Sequence, residues 1–325
     1  MRPARALAAL LLAACILPAG AATAQTYPNR PITMIVPYPP GGATDTIARV
    51  IQDAMAKSLG QPIVIENVGG AGGMIAAARA ARATPDGYTI LIHQVALAAG
   101  VSLYKDLAFD AVRDFTGIGP INTAASTLTA PASLPPSSFA EFLKWAKEGD
   151  HNLKIGNAGV GSYSHLAGVL VAQELGLKST QIAYRGAGPA LVDLLSGQID
   201  LEAQSAVISG PLVKSGKLKA YAVIGRKRYA GMPDLPTMGE LGYKKLDVDF
   251  WHCLYAPAGT PRPIIDKLNA ALRAALADAR VNKTFSDGGM DIYAPADQTP
   301  AFADALLKSE IKMWSGVIRD SHISM

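Results

Sequence analysis

The residues best placed to do chemistry begin at Tyr38-Pro39-Pro40-Gly41-Gly42-Ala43-Thr44-Asp45, where an apolar run from Ile32 to Val36 gives way to prolines and a glycine pair. Prolines cannot continue a strand ladder, and glycines let the chain turn sharply. Ile47, Val50, Ile51, Ala54, Met55 and Leu59 then recur at helical spacing, and Gly60 stands at the stop. Free backbone N–H groups at such a helix start, backed by the helix dipole, make an anion site. No Lys or Arg lies between Pro31 and Ala48, so an anion here would be held by amides. Asp45 falls in the first helical turn, where a carboxylate serves N–H groups rather than a ligand. A purely structural turn is the alternative use of the glycine pair.

A second stretch repeats this arrangement. Asn157 to Leu166 joins a strand to a helix through Gly159 and Gly161, and it carries Ser162, Ser164 and His165. Its hydroxyls could bind an anion or cap the helix. They could also serve an exported hydrolase, although adjacent helical residues face different ways and make Ser164–His165 a poor dyad. Neither serine sits in a Gly-x-Ser-x-Gly elbow, and Gly159-x-Gly161 lacks the third glycine of a dinucleotide fingerprint. Gly69 to Gly73, which includes Gly72 and Gly73, lacks the Gly-Lys-Ser/Thr ending of a nucleotide cradle. His93 falls at a strand end, as scaffold or as a ligand contact. Cys253 lies in an apolar run and reads as buried and inert. No cofactor or metal is called for: paired His ligands and Cys clusters are absent from the sequence.

The elements that must position these residues alternate along the chain. Strands are expected at Pro62 to Glu66, Tyr88 to Ile92, Leu153 to Gly156, Gln181 to Tyr184, Ile199 to Ala203, Leu218 to Ile224 and Asp249 to Tyr255. Helices are expected at Met74 to Ala83, Ser138 to Lys147 with a Ser138–Glu141 capping box, Pro263 to Ala277 and Pro300 to Val317. This alternation predicts an α/β fold with mostly parallel sheets and ligands at the strand C-terminal ends. A second α/β unit begins near Asn122, and the last helices return to complete the first.

Length and composition fit two globular units: 325 residues, 50% hydrophobic and 17% charged. The net charge of +4 falls to about +2 without Arg2 and Arg5, which excludes a nucleic-acid binder. Arg2 and Arg5 precede an apolar run from Ala6 to Leu17, and Ala22-Thr23-Ala24 is a small-x-small cleavage site. Residues 1–24 therefore read as a signal peptide, and the protein as exported and soluble. Lipidation at Cys15 is the alternative, since Leu12-Ala13-Ala14-Cys15 resembles a lipobox.

Several segments, in order along nearly the whole mature chain, resemble the TctC/Bug family of extracytoplasmic solute-binding proteins. They include Tyr27 to Ile32, Val36 to Asp45, Glu66-Asn67 before the glycine loop, Pro85 to Thr89 and Gly161 to Gly168. Tyr184 to Ala187, Gly197 to Leu201, Asp234 to Thr237 and Ala256 to Pro261 continue the match. The resemblance implies a two-lobed periplasmic-binding-protein fold, with residues 25–123 and 249–325 as one lobe and 124–248 as the other. It implies a monomeric periplasmic receptor that is not an enzyme, with a small carboxylate in the cleft and the membrane components of a tripartite tricarboxylate transporter as partners. Around the cleft it would place Tyr38, Pro39, Gly41, Gly42, Ala43, Thr44, Asp45, Gly72, Gly73, Ser162, Ser164, His165, Tyr184, Arg185 and Gly186. The sequence departs from the family pattern at His93, at Gln204, where an Asp is common, and at His252-Cys253 after Trp251, where Phe-Gly is usual. His93 and Gln204, as departures, and Trp251, which matches a family tryptophan, join the site. Loss of an Asp favours dicarboxylates, aromatic ones included, over amino acids.

Overall fold

The computed structural model describes residues 27–149 and 151–320. The leader, its cleavage site and Cys15 lie outside that range. Among the described residues, no helix is long and apolar enough to cross a membrane.

The first lobe opens with β1 (Ile32–Val36), α1 (Ala43–Leu59), β2 (Ile63–Asn67), α2 (Met74–Ala81), β3 (Thr89–Gln94), α3 (Val95–Leu103) and β4 (Phe115–Ala124). The chain then crosses into the second lobe. There it forms β5 (Ser126–Pro131), α4 (Phe139–Glu148), β6 (Leu153–Asn157), α5 (Tyr163–Leu175), β7 (Ser179–Ala183), α6 (Ala187–Ser196), β8 (Leu201–Ser205), α7 (Ala206–Lys214) and β9 (Leu218–Ile224). It returns through β10 (Phe250–Pro257), α8 (Arg262–Ala277), α9 (Ala279–Asp287), β11 (Met290–Ile292) and α10 (Pro300–Asp320). The strand orders are β11-β4-β10-β3-β1-β2 and β7-β6-β8-β5-β9.

Both sheets are mixed rather than simply parallel. β1, β2 and β3 pair in parallel, as do β6, β7 and β8. β10 runs antiparallel between β3 and β4, and β5 runs antiparallel between β8 and β9. β5 and β10 are the strands by which the chain enters one lobe from the other. Each arrives from the cleft side, so it must run against the strands that end there.

Local sequence explains most elements. α1 buries Ile47, Ala48, Ile51, Met55 and Leu59 and stops at Gly60, whose left-handed backbone lets its N–H reach the Ala56 carbonyl. In α4 the Ser138 hydroxyl accepts from Glu141 N–H, but the Glu141 carboxylate accepts from Ser137 rather than closing the expected reciprocal box. α3 is apolar except at Ser102 and buried from Val95 to Gly100, so it carries little amphipathic signal. Gly117, Gly119 and Pro120 disguise β4. An added Cβ at Gly117 would lie 2.8 Å from Ala303 Cβ of α10, so these glycines let helices pack closely on the strand.

Candidate functional site

The loop after β1 is built before it meets any ligand. Asp45 Oδ2 accepts from Gly41 N–H at 3.0 Å and from Arg49 Nε at 2.9 Å, while Oδ1 accepts from Asn67 Nδ2 at 2.9 Å. Burial alone would raise the Asp45 carboxyl, but the bonds from Arg49, Gly41 and Asn67 outweigh it and hold the group below its ordinary range. Asn67 Nδ2 also donates to the Tyr38 carbonyl, so the end of β2 ties down the loop. The Tyr38 hydroxyl donates to Gly72 O at 2.9 Å and accepts from Gln94 Nε2. Burial pushes that phenol upward, so it stays protonated.

Two adjoining cavities open between the lobes, sharing Tyr38 and Ala158. The inner one is walled by Tyr38, Gly42, Ala43 and Thr44 from the first lobe and by Ser162, Ser164, Gln204 and Ser205 from the second. Tyr163 and Phe250 add an apolar wall, their rings stacked at 4.3 Å. The outer one is bordered by Pro39, Gly72, Gly73, Tyr184, Arg185 and Gly186. The lobes touch there: Tyr104 Oη donates to Val160 O at 3.0 Å. Gly72 has a left-handed φ of 61°, and a Cβ on it would sit 2.6 Å from Val160 O. Only glycine permits that approach.

Among the described residues, the inner cavity has no Lys, Arg, His, Asp or Glu in its lining. What converges on it instead are helix starts. Gly42, Gln94, Ser162, Gly186 and Ser205 are the N-caps of α1, α3, α5, α6 and α7, and each cap or its following residue lines the space. Gln94 and Ser162 cap with their side chains, whereas α1, α6 and α7 have no side-chain cap. The first N–H groups of a helix lack intrahelical partners, and each N-terminus acts as about half a positive charge. Gln204 Nε2 and Ser205 Oγ are buried without hydrogen-bond partners.

The structure separates the expected residues. Asp45 is bound up in its own loop, and Gly41 serves it from behind. His93 is fully buried and outside the lining; its Nδ1 accepts from Gln94 N–H, and burial pushes the ring down to about 4. Its neighbour Gln94, which strand alternation turns the other way, faces the cavity. Trp251 also lies outside the lining, donating to Glu310 Oε2 of α10 at 2.8 Å. His165 accepts at Nδ1 from Gly161 N–H, and Ser162 Oγ accepts from His165 N–H, so neither serine has an imidazole partner and no dyad exists. Ser164 Oγ accepts from Ala158 N–H at 2.9 Å. Tyr184 donates to Asp193, and Arg185 is exposed at the outer cavity. Gln94, Tyr163, Ser205 and Phe250 were missed by sequence reasoning. Only the position of Gln94 and Ser205 directly before helices could have flagged them.

Comparison with known proteins bears on this site. The profile of the TctC family, tripartite tricarboxylate transporter family receptor, matches residues 47–322. The UPF0065 protein of the TAR-I ttuE-ttuC' intergenic region of Agrobacterium vitis is 38% identical over 313 residues, which cover 96% of this chain and 90% of that protein. The periplasmic binding protein BugD superposes with a TM-score of 0.88 at 37% identity, covering 92% of this chain and 99% of BugD. MatC from Rhodopseudomonas palustris, solved with bound malate, superposes with a TM-score of 0.85 at 38% identity, covering 90% of this chain and all of MatC, 100%.

Proposed function

Because the chain belongs to the TctC family of tripartite tricarboxylate transporter receptors, which are solute-binding proteins and not enzymes, we propose that it captures a small dicarboxylate in the inner cavity. It then delivers that solute to the membrane components of a tripartite tricarboxylate transporter. The protein works as an exported, monomeric periplasmic receptor.

The observation that carries this reading is the convergence of helix N-termini on a cavity without charged side chains. Uncapped amides of α1 face one carboxylate. Gln204 Nε2 and Ser205 Oγ, at the start of α7, supply donors for a second. A carboxylate accepts and never donates, so such a lining suits it at two ends. The Tyr163–Phe250 wall suits the hydrocarbon between them, aliphatic or aromatic. One lobe holds β1 to β4, β10 and β11, and the other β5 to β9. They hinge where the chain crosses between β4 and β5 and again ahead of β10.

A thermal-shift screen over mono-, di- and tricarboxylates tests the reading. A ligand that binds only the folded state at a hundredfold excess over Kd adds about 2.7 kcal/mol of stability. Dicarboxylates should raise the melting temperature most. No shift with any dicarboxylate, malate, adipate and phthalate included, would overturn the proposal.

A further inference from the structure

Thr44 Oγ1 and His252 Nε2 lie 3.1 Å apart. Thr44 lines the inner cavity from the first turn of α1, and His252 is fully buried on β10 beneath it. Across the sheet, His252 is paired with Gln94 of β3 on one side and Asn122 of β4 on the other. Directly paired residues point to the same face, so the three side chains form one polar row below the cleft. Gln94 is committed to Tyr38 and Ala96. Among the described residues, His252 Nδ1 and both ends of the Asn122 amide have no hydrogen-bond partner.

A space-filling role does not account for this row. A phenyl ring would keep the packing of His252 on Phe250, whose rings are 4.6 Å apart, without burying polar atoms. Burial, with His93 close by, pushes the His252 ring down to about 3, so the imidazole is neutral. One nitrogen then donates and the other accepts. The Thr44 hydroxyl has a single proton, which it can give either to His252 or to a ligand.

We propose that His252 is a positioning residue for ligand capture: its Nε2–H donates to Thr44 Oγ1, which frees the Thr44 hydroxyl to donate into the cleft. The inference rests on the dicarboxylate reading above, since a carboxylate offers only acceptors. In the opposite tautomer the Thr44 hydroxyl would donate to Nε2 and turn its lone pairs toward an anion. It would also bury an Nδ1–H donor without an acceptor, whereas the Nε2–H form leaves only a lone pair unpaired there. His252 thereby makes a neutral threonine into a directed donor where no cation is present.

Nitrogen-15 spectra of the imidazole rings in the ligand-free full chain, with His252→Gln as the assignment control, read the tautomer directly. The Nε2–H pattern is expected, and an Nδ1–H pattern overturns the proposal. Affinity is then measured by calorimetry with malate, adipate and phthalate. His252→Phe and Thr44→Val should each weaken the tightest of these by about 10- to 100-fold, the range for a hydrogen bond to a charged group. The double variant should lose little more than either alone, because both act through one hydroxyl. His252→Gln, which keeps an N–H donor, should recover part of the loss. Unchanged binding by a folded His252→Phe variant overturns the proposal. If the wild-type chain binds none of the three acids, the dicarboxylate reading fails, and the tautomer still decides the Thr44–His252 geometry.

Discussion

Glu202 should make this protein less stable as the pH rises, and replacing it with Gln should remove that dependence. It sits on β8, the central strand of the second sheet, fully buried and with neither carboxyl oxygen hydrogen-bonded. Burial pushes its carboxyl from 4.5 up to about 8. A raised acid pKa means that the folded chain keeps a proton which the unfolded chain releases above pH 4.5. The folded state is therefore unpenalised below pH 4.5, loses ground steadily up to about pH 8, and is no worse beyond it. At 1.36 kcal/mol per unit, the 2.5 units between 4.5 and pH 7 amount to about 3 kcal/mol, against about 1 kcal/mol at pH 5. Urea unfolding of the wild type and of Glu202→Gln at pH 5, 6, 7 and 8 checks this. The stability of the variant relative to the wild type should grow by about 2.5 kcal/mol from pH 5 to pH 7. A constant difference between the two proteins reports only the cost of burying an amide. If it stays constant across the whole range, Glu202 is ionised and partnered in the fold, and the reasoning fails.

Three further substitutions address the cleft. Gly42 has an ordinary extended backbone, and a Cβ on it would lie 4.0 Å from Ala187 Cβ of the other lobe. Gly42→Val should therefore leave folding intact while abolishing dicarboxylate binding by calorimetry; retained affinity would mean that the carboxylate lies elsewhere. Asp45→Ala removes the acceptor for Gly41, Arg49 and Asn67, and should cost about 2 kcal/mol in chemical denaturation at pH 7 with a smaller loss of affinity. Because its folded pKa is lowered, that contribution is present above 3.8 and is lost as the pH falls below it, so the two proteins should converge in acid. Gln204→Asp should weaken dicarboxylates by about 1–3 kcal/mol more than monocarboxylates, since a new charge repels the second group. Equal losses for both would place the second carboxylate away from Gln204.

The sequence by itself determined the local devices. Proline and glycine after an apolar run could only end a strand, and helical spacing after Gly42 could only begin a helix there. The absence of Lys and Arg from Pro31 to Ala48 left only amides to meet an anion at this loop, and Asp45 in the first turn was expected to serve N–H groups, as it does for Gly41. These are legible because they depend on backbone conformation and spacing within about ten residues. Tertiary structure decided which neighbour faces the cleft. His93 and Gln94 are adjacent, as are Trp251 and His252, and strand alternation sends each pair to opposite faces. Which face borders the cleft depends on β10 pairing with β3 and β4, strands more than a hundred residues earlier in the chain. The same pairing sets His252 beside Asn122 and under Thr44, partners that no local pattern brings together. Ser205 became a site residue only because β8 ends at the cleft beside the starts of α1 and α6. The convergence of several helix N-termini on one uncharged cavity exists only once both sheets have assembled, because each dipole is local but their sum is not.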